Sequence, residues 1–205
     1  VQITEKSLNR ELPFHDAEAQ LLLEIDGHRE SEVEQHYEKI GEIFLKNGAF
    51  DVFVADSSPA QRRLWEVRRS ILEALKAVSP ILCGEDVVVP RMAIAPLIEE
   101  VKRISQGHGL GTVCFGHIGD GNVHIDIMKR DADYAHWRRV LPNMVEEIFD
   151  AVLSLGGMIT GEHGIGLTKK RYLPKALGRA QVKLMRRVKR AFDPNTILNP
   201  GKIFE

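Results

Sequence analysis

His117 and His124 flank the string GHIGDGNVH (residues 116–124), whose central Gly119-Asp120-Gly121-Asn122 are residue types that tolerate the positive φ of tight turns. If those four form the turn of a β-hairpin, Ile118 pairs with Val123 and His117 falls opposite His124 on one sheet face. Directly opposed residues have Cβ atoms about 4.5 to 5.5 Å apart, close enough for two imidazoles to share one metal ion. A pair of histidines bracketing an ordinary surface or core turn would give the same spacing. The three glycines within six residues, Gly116 to Gly121, are what a rigid loop would need. A third ligand is offered by GEHGIG (161–166), where Glu162 could complete a His/His/carboxylate set that leaves coordination positions open for water or substrate. His163 would then be free for acid–base work, because an imidazole titrates near neutrality; a plain loop histidine at a helix entrance is the competing reading. The order of GEHGIG is not GxGxxG, so it argues for no Rossmann nucleotide site.

Arg68 lies within the apolar stripe made by Leu64, Val67, Ile71, Leu72 and Leu75 on a helical wheel, where an unpaired cation would be costly. An anionic substrate would satisfy it, since a guanidinium matches a carboxylate in bidentate fashion; a structural salt bridge would do the same. The tail Asp193 to Lys202 (DPNTILNPGK) is dense in turn formers and reads equally as a surface end or a specific loop.

These residues need a scaffold, and the hydrophobic pattern supplies one. Residues 19–26 (AQLLLEID) and 50–56 (FDVFVAD) read as strands around a helix that Ser31 and Glu34 open as a capping box and Asn47-Gly48 closes. A second helix is expected from an N-cap at Ser58 to Lys76, then a brief strand at 85–90, then a helix opened by Pro96 and ending near Gly107 or Gly109. The hairpin follows, with strands at 111–118 and 123–128. A fourth helix carries Met144, Val145, Ile148 and Val152, and Pro142 is expected to start or kink it. After Gly161 come a short helix around 169–177, a basic helix around 181–192 that reads as a solvated face, and the extended tail. The expected fold is α+β: a ferredoxin-like antiparallel sheet covered by helices, with a C-terminal helical extension. The expected division is 1–160 and 161–205.

Composition sets the outer limits. A chain of 205 residues with 43% hydrophobic and 28% charged residues needs no staples for its core, and a net charge of -1 gives no reason to expect a nucleic-acid partner. Cys83 and Cys114 form no CxxC pair and fit buried thiols in a reducing compartment. No signal peptide or membrane span is visible. The chain begins at Val1 without an initiator Met, which suggests part of a longer polypeptide.

Together, GHIGDGNVH, GEHGIG and DPNTILNPGKIF resemble the C-terminal domain of FAD-linked oxidases and dehydrogenases of the vanillyl-alcohol-oxidase type, a group that includes glycolate oxidase flavin subunits, D-lactate dehydrogenases and D-2-hydroxyglutarate dehydrogenases. The likeness runs in motif order from LLLEIDG through LWEVRRS to the tail. It implies a separate N-terminal domain that binds most of the FAD, with residues 161–205 packing toward it. It further implies that His117, His124 and Glu162 hold a divalent metal, usually zinc with manganese or iron as alternatives. His163 would be the base beside the flavin, Arg68 would bind the substrate carboxylate, and Asn199 would meet the flavin. The implied reaction is oxidation of a D-2-hydroxy acid to a 2-oxo acid, with electrons passing on to an acceptor protein or quinone. Relatives that act on 2-hydroxyglutarate resemble one another in having Thr and Lys near the Arg, where this chain has Leu72 and Gly84, and Asn where it has Asp126. A smaller monocarboxylate such as lactate or glycolate is the expected substrate. The expected location is the cytoplasm, or the inner-membrane periphery through a partner. Two other readings stand beside this one: a self-contained metal-dependent hydrolase using the same ligands with His163 as base, and a noncatalytic interaction domain.

Overall fold

Val123, Ile125 and Ile127 alternate with Asn122, His124 and Asp126, the period-2 pattern of a strand buried on one face, and buried Val87 marks a second apolar segment. In a computed structural model that describes residues 3–5 and 17–204, these segments form β1 (Leu82–Val88) and β3 (Asn122–Met128), and β2 is Gly111–His117. The chain divides into two compact units, Val1–Pro80 and Ile81–Glu205.

The first unit holds α1 (Glu30–Lys46), α2 (Ser58–Arg69) and α3 (Ile71–Val78). Several local expectations are corrected here. Arg29, not Ser31, is the N-cap of α1 and makes no side-chain cap, and Ser57 rather than Ser58 caps α2. The single helix expected to Lys76 breaks at Ser70, whose hydroxyl donates to the Val67 carbonyl at 3.0 Å and competes with the backbone ladder. Residues 19–26 and 50–56 belong to no ladder among the described residues. Strand-like composition reports fitness for a pleated surface, and a partner strand is still required.

In the second unit the order is β1, α4 (Ile94–His108), β2, β3, α5 (Tyr134–Ser154), α6 (Leu173–Leu177) and α7 (Arg179–Phe192), with single 3-10 turns at Arg91–Ala93 and Lys170–Tyr172. The antiparallel sheet runs β1-β3-β2, so β3 is inserted between two strands joined by a helical crossover, and Met158 bridges the outer side of β1 at Val88. This is the strand order of a ferredoxin-like sheet with its fourth strand reduced to one bridge. One face of the sheet packs on α4 and α5, with Leu97, Val101, Ile104, Met144, Ile148, Phe149 and Val152 all but fully buried. α4 ends at Gly109 with φ +65, the left-handed C-cap that glycine favours. α5 begins at Tyr134, where Asp133 accepts the His136 N–H at 2.8 Å, so Pro142 lies inside the helix and does not start it. Cap and buried Trp137 together hold the turns that precede the proline.

The hairpin register differs from the expected one by two residues. Phe115 lies opposite His124 and His117 opposite Asn122, because the turn comprises residues 118–121 and Asn122 enters the strand. β1 imposes this: Val88 pairs with Asn122 and the Val89 N–H donates to the Gly121 carbonyl at 3.0 Å. A slip of two preserves the face, so both histidines still share one side. No helix among the described residues is long and apolar enough to cross a membrane.

Candidate metal centre

Because β-strand side chains alternate, the face opposite the helices carries Asp86, His124 and Phe115 in one cross-strand row and Asn122 beside His117 in the next. After α5 the chain passes through Met158, paired to Val88, and buried Ile159, then turns over this face as Thr160 to Gly166. What holds that loop is Asp86, which is fully buried. Its Oδ2 accepts the backbone N–H groups of Gly161 (2.9 Å), Glu162 (3.0 Å) and His163 (2.9 Å) and the Thr160 hydroxyl (3.1 Å). Its Oδ1 accepts from Asn122 Nδ2 at 2.7 Å. The Thr160 hydroxyl in turn accepts the Gly164 N–H at 2.8 Å. Gly161 has to be glycine for this approach, since a Cβ there would collide with the Asn122 amide.

Beneath the carboxylate, buried Lys169 donates to the carbonyls of Asp86 (2.6 Å) and Ile159 (2.8 Å), joining β1 to the base of the loop. Its Nζ also lies 3.4 Å from Glu85 Oε2 and 5.6 Å from the Phe149 ring centroid. Burial pushes the Glu85 carboxyl up, with Lys169 opposing it. Burial raises the Asp86 carboxyl as well, yet the hydrogen bonds from His163, Asn122, Glu162 and Gly161 outweigh it and hold the group well below the usual carboxylate range.

The loop brings its two reactive side chains to the sheet. His124 Nε2 lies 3.2 Å from Glu162 Oε1, His163 Nε2 lies 3.9 Å from the same oxygen, and the His124 and His163 rings stack at 5.4 Å. Asp86, His124, Glu162 and His163 each offer one ligand atom, all within 4.8 Å of one another. Imidazole nitrogens with a carboxylate oxygen suit a borderline divalent cation such as zinc, so the donor set fits a metal. Burial also pushes the His124 pKa down against the pull of Asp86 and Glu162, which favours the neutral, ligating form.

Of the residues singled out from sequence, His124, Glu162 and His163 are therefore together. The His117 ring lies edge-on to that of His124 at 5.7 Å, beside the four-residue group and not within it. Arg68 is half-buried in the last turn of α2, in the first unit. Asn199, at φ +46, sits in the tail, which Asp193 organises by accepting the N–H groups of Ile197 (2.9 Å) and Leu198 (3.0 Å). The Ile203 N–H donates to the Gly166 carbonyl at 2.8 Å and ties the tail to the glycine loop. Asp86 escaped the sequence reading; its signal was a pair of acids, Glu85 and Asp86, opening the apolar run EDVVVP. Cys83 and Cys114 are pushed up to about 12, chiefly by burial, so neither is a thiolate ligand or nucleophile near neutrality.

The family model for FAD linked oxidases, C-terminal domain, matches residues 1–203. The chain is 38% identical over 208 residues to a D-lactate dehydrogenase of Anaerostipes hadrus, covering 99% of the chain and 44% of that protein. It is 41% identical over 192 residues to a glycolate oxidase subunit of Bacillus subtilis (92% and 40% covered). It is 33% identical over 196 residues to a D-2-hydroxyglutarate dehydrogenase of Stutzerimonas stutzeri (94% and 42% covered). The chain thus spans about two-fifths of the length of these relatives. Among solved structures, 4-ethylphenol oxidase from Gulosibacter chungangensis shares the fold, with a TM-score of 0.56 at 21% identity over 86% of this chain and 37% of that one. With the α+β sheet, the metal-capable donor group and the family match in agreement, the chain belongs to the C-terminal domains of FAD-linked oxidases and dehydrogenases.

Proposed function

We propose that this chain supplies the substrate and metal half of the active site of a flavin-dependent dehydrogenase or oxidase for a small D-2-hydroxy acid of the lactate or glycolate class. The observation that carries the reading is the group His124, Glu162 and His163, gathered on the open face of the sheet in a chain of this family. When bound, FAD supplies a hydride acceptor and a divalent metal, most simply zinc, supplies a Lewis acid. His117, His124 and Glu162 would hold the metal, His117 from beside the gathered donor group. Arg68 pairs with the substrate carboxylate, and His163 takes the hydroxyl proton on an imidazole nitrogen. The FAD-binding part, in the same polypeptide or in a partner chain, binds most of the cofactor, and the turn at Asn199 meets the flavin. Residues 161–205 face that part. Support comes from α7, where Leu184, Val188 and Phe192 form an exposed stripe at helical spacing, continued by exposed Ile197 and Leu198 in the tail. An acceptor protein or quinone reoxidises the flavin. Alone, the chain lacks turnover.

The test is anaerobic mixing of the flavin-containing protein with D-lactate, glycolate or D-2-hydroxyglutarate while following flavin absorbance. Bleaching by a small 2-hydroxy acid is expected, slowed about 100- to 10,000-fold in His163→Asn. Absence of bleaching by every 2-hydroxy acid, or an unaffected His163→Asn, would overturn the proposal.

A further inference from the structure

We propose that Asp86 is no ligand of the metal but the positioning residue that sets the ligand Glu162 and the base His163 at its site, an inference that rests on the metal-site reading above. By distance alone Asp86 belongs with the ligating group. Its coordination by the protein says otherwise. A carboxylate offers about four lone-pair directions, and Asp86 already receives Asn122 Nδ2, three successive backbone N–H groups and the Thr160 hydroxyl. The four donors on Oδ2 leave that oxygen no direction for a cation, and Oδ1, which receives only Asn122 Nδ2, faces the Nδ1 edge of His124, whereas Glu162 meets that ring at Nε2. The Oδ1 to His124 Nδ1 separation of 3.8 Å is too long for a hydrogen bond, so Asp86 does not act by holding the ring directly.

Its leverage comes through the backbone. Two of the three amides it binds belong to Glu162 and His163, the residues whose side chains reach the site. Fixing those amides fixes where both Cβ atoms point. Asp86 is also the cross-strand partner of His124, and Lys169 secures its carbonyl. One residue therefore relates His124 on the sheet to the ligand Glu162 and the base His163 on the loop. Outer partners of this kind are worth about 10- to 100-fold in metal affinity.

The experiment measures zinc affinity of the metal-stripped, flavin-containing protein by competition with a chromophoric chelator, alongside amide hydrogen exchange of residues 161–163. Asp86→Asn keeps an oxygen for the amides, and its NH2 can meet Asn122 Oδ1, a buried atom that lacks a hydrogen-bond partner, once that amide turns over. It is expected to bind zinc within about threefold of wild type and to keep the amides protected, since the geometry is retained. Asp86→Ala should bind about 10- to 100-fold more weakly and lose amide protection. Gly161→Ala keeps the Asp86 carboxylate but sets a Cβ against the Asn122 amide and 3.0 Å from Asp86 Oδ1, which lifts the loop and should repeat that loss; it carries the test if Asp86→Ala does not fold. Asp86→Asn as impaired as Asp86→Ala would make Asp86 a ligand or an essential charge, and overturn the inference. Wild-type affinity in both alanine variants would overturn it equally. A wild-type protein that takes no zinc sinks the metal reading itself, a separate outcome that removes this inference with it.

Discussion

Replacing Lys169 by Met preserves much of the stem and removes the ammonium from a buried site. The structure sets the consequence. Two carbonyls, of Asp86 and Ile159, lose a charged donor at 2.6 and 2.8 Å, and Glu85 loses its ion pair with Lys169, at 3.4 Å. Breaking a buried pair from one side costs about 3–5 kcal/mol, which at about 2–4 °C per kcal/mol for a chain of this size lowers Tm by roughly 6–20 °C. Part of that loss belongs to the stranded Glu85 charge. Without Lys169 the burial that raises the carboxyl, already the largest influence, is opposed chiefly by the Cys83 hydrogen bond, so its folded-state pKa stands further above its ordinary value of 4.5. A group raised in the folded state contributes stability below its unfolded pKa and loses it as pH rises through the folded value. The variant should therefore lose more stability between pH 4.5 and neutrality than wild type does. Lys169→Met/Glu85→Gln removes the stranded charge, so the double loss should fall short of the summed single losses by about 0.5–3 kcal/mol. Urea and thermal unfolding followed by far-UV ellipticity at several pH values measures all three. A Lys169→Met protein within about 1 kcal/mol of wild type, below the range for a broken buried pair, or strictly additive losses, would refute the reasoning.

Ile148→Ala, at a fully buried position of α5, should cost about 2–5 kcal/mol in unfolding experiments while leaving zinc affinity near wild type, because the core lies on the other face of the sheet. Cys83 and Cys114, both held near 12, should be alkylated by iodoacetamide at about pH 8.5 more than about 100-fold slower in the native protein than in denaturant. Asn122→Asp sets a second carboxylate at the 2.7 Å contact with Asp86. It should destabilise by about 1–3 kcal/mol at neutral pH, with the deficit shrinking on acidification as one of the pair takes up a proton.

Much of this arrangement was legible in the chain because it depends on parity and on local chemistry. The alternation in NVHIDIM assigns His124 to one face whatever the register, so the two-residue error in pairing left His117 and His124 on the same side. Register itself depended on β1, which lies more than thirty residues earlier and pairs Val88 with Asn122. The same distance hid Asp86: its partners sit 36 residues away at Asn122 and 75 to 77 residues away at Gly161, Glu162 and His163. Local reasoning sees a strand there and cannot see what the strand holds. The glycines of GEHGIG illustrate the limit, since close approach was expected toward a ligand and Gly161 instead approaches Asp86 and Asn122. Residues 19–26 and 50–56 show the converse: composition suited to a strand, with no ladder to join among the described residues.

Three consecutive amides converging on one carboxylate oxygen form the concave backbone surface that in other proteins captures free phosphate or sulfate. Here the guest is covalently tethered and cannot be displaced by dilution. The amides of Gly161, Glu162 and His163 are consequently closed to solution oxyanions. Under the proposed function, selectivity for the substrate's acid end would then fall to side-chain cations, whereas these three amides are committed to keeping their own residues in place. Phosphate or sulfate in a buffer should leave the geometry of Glu162 and His163 untouched.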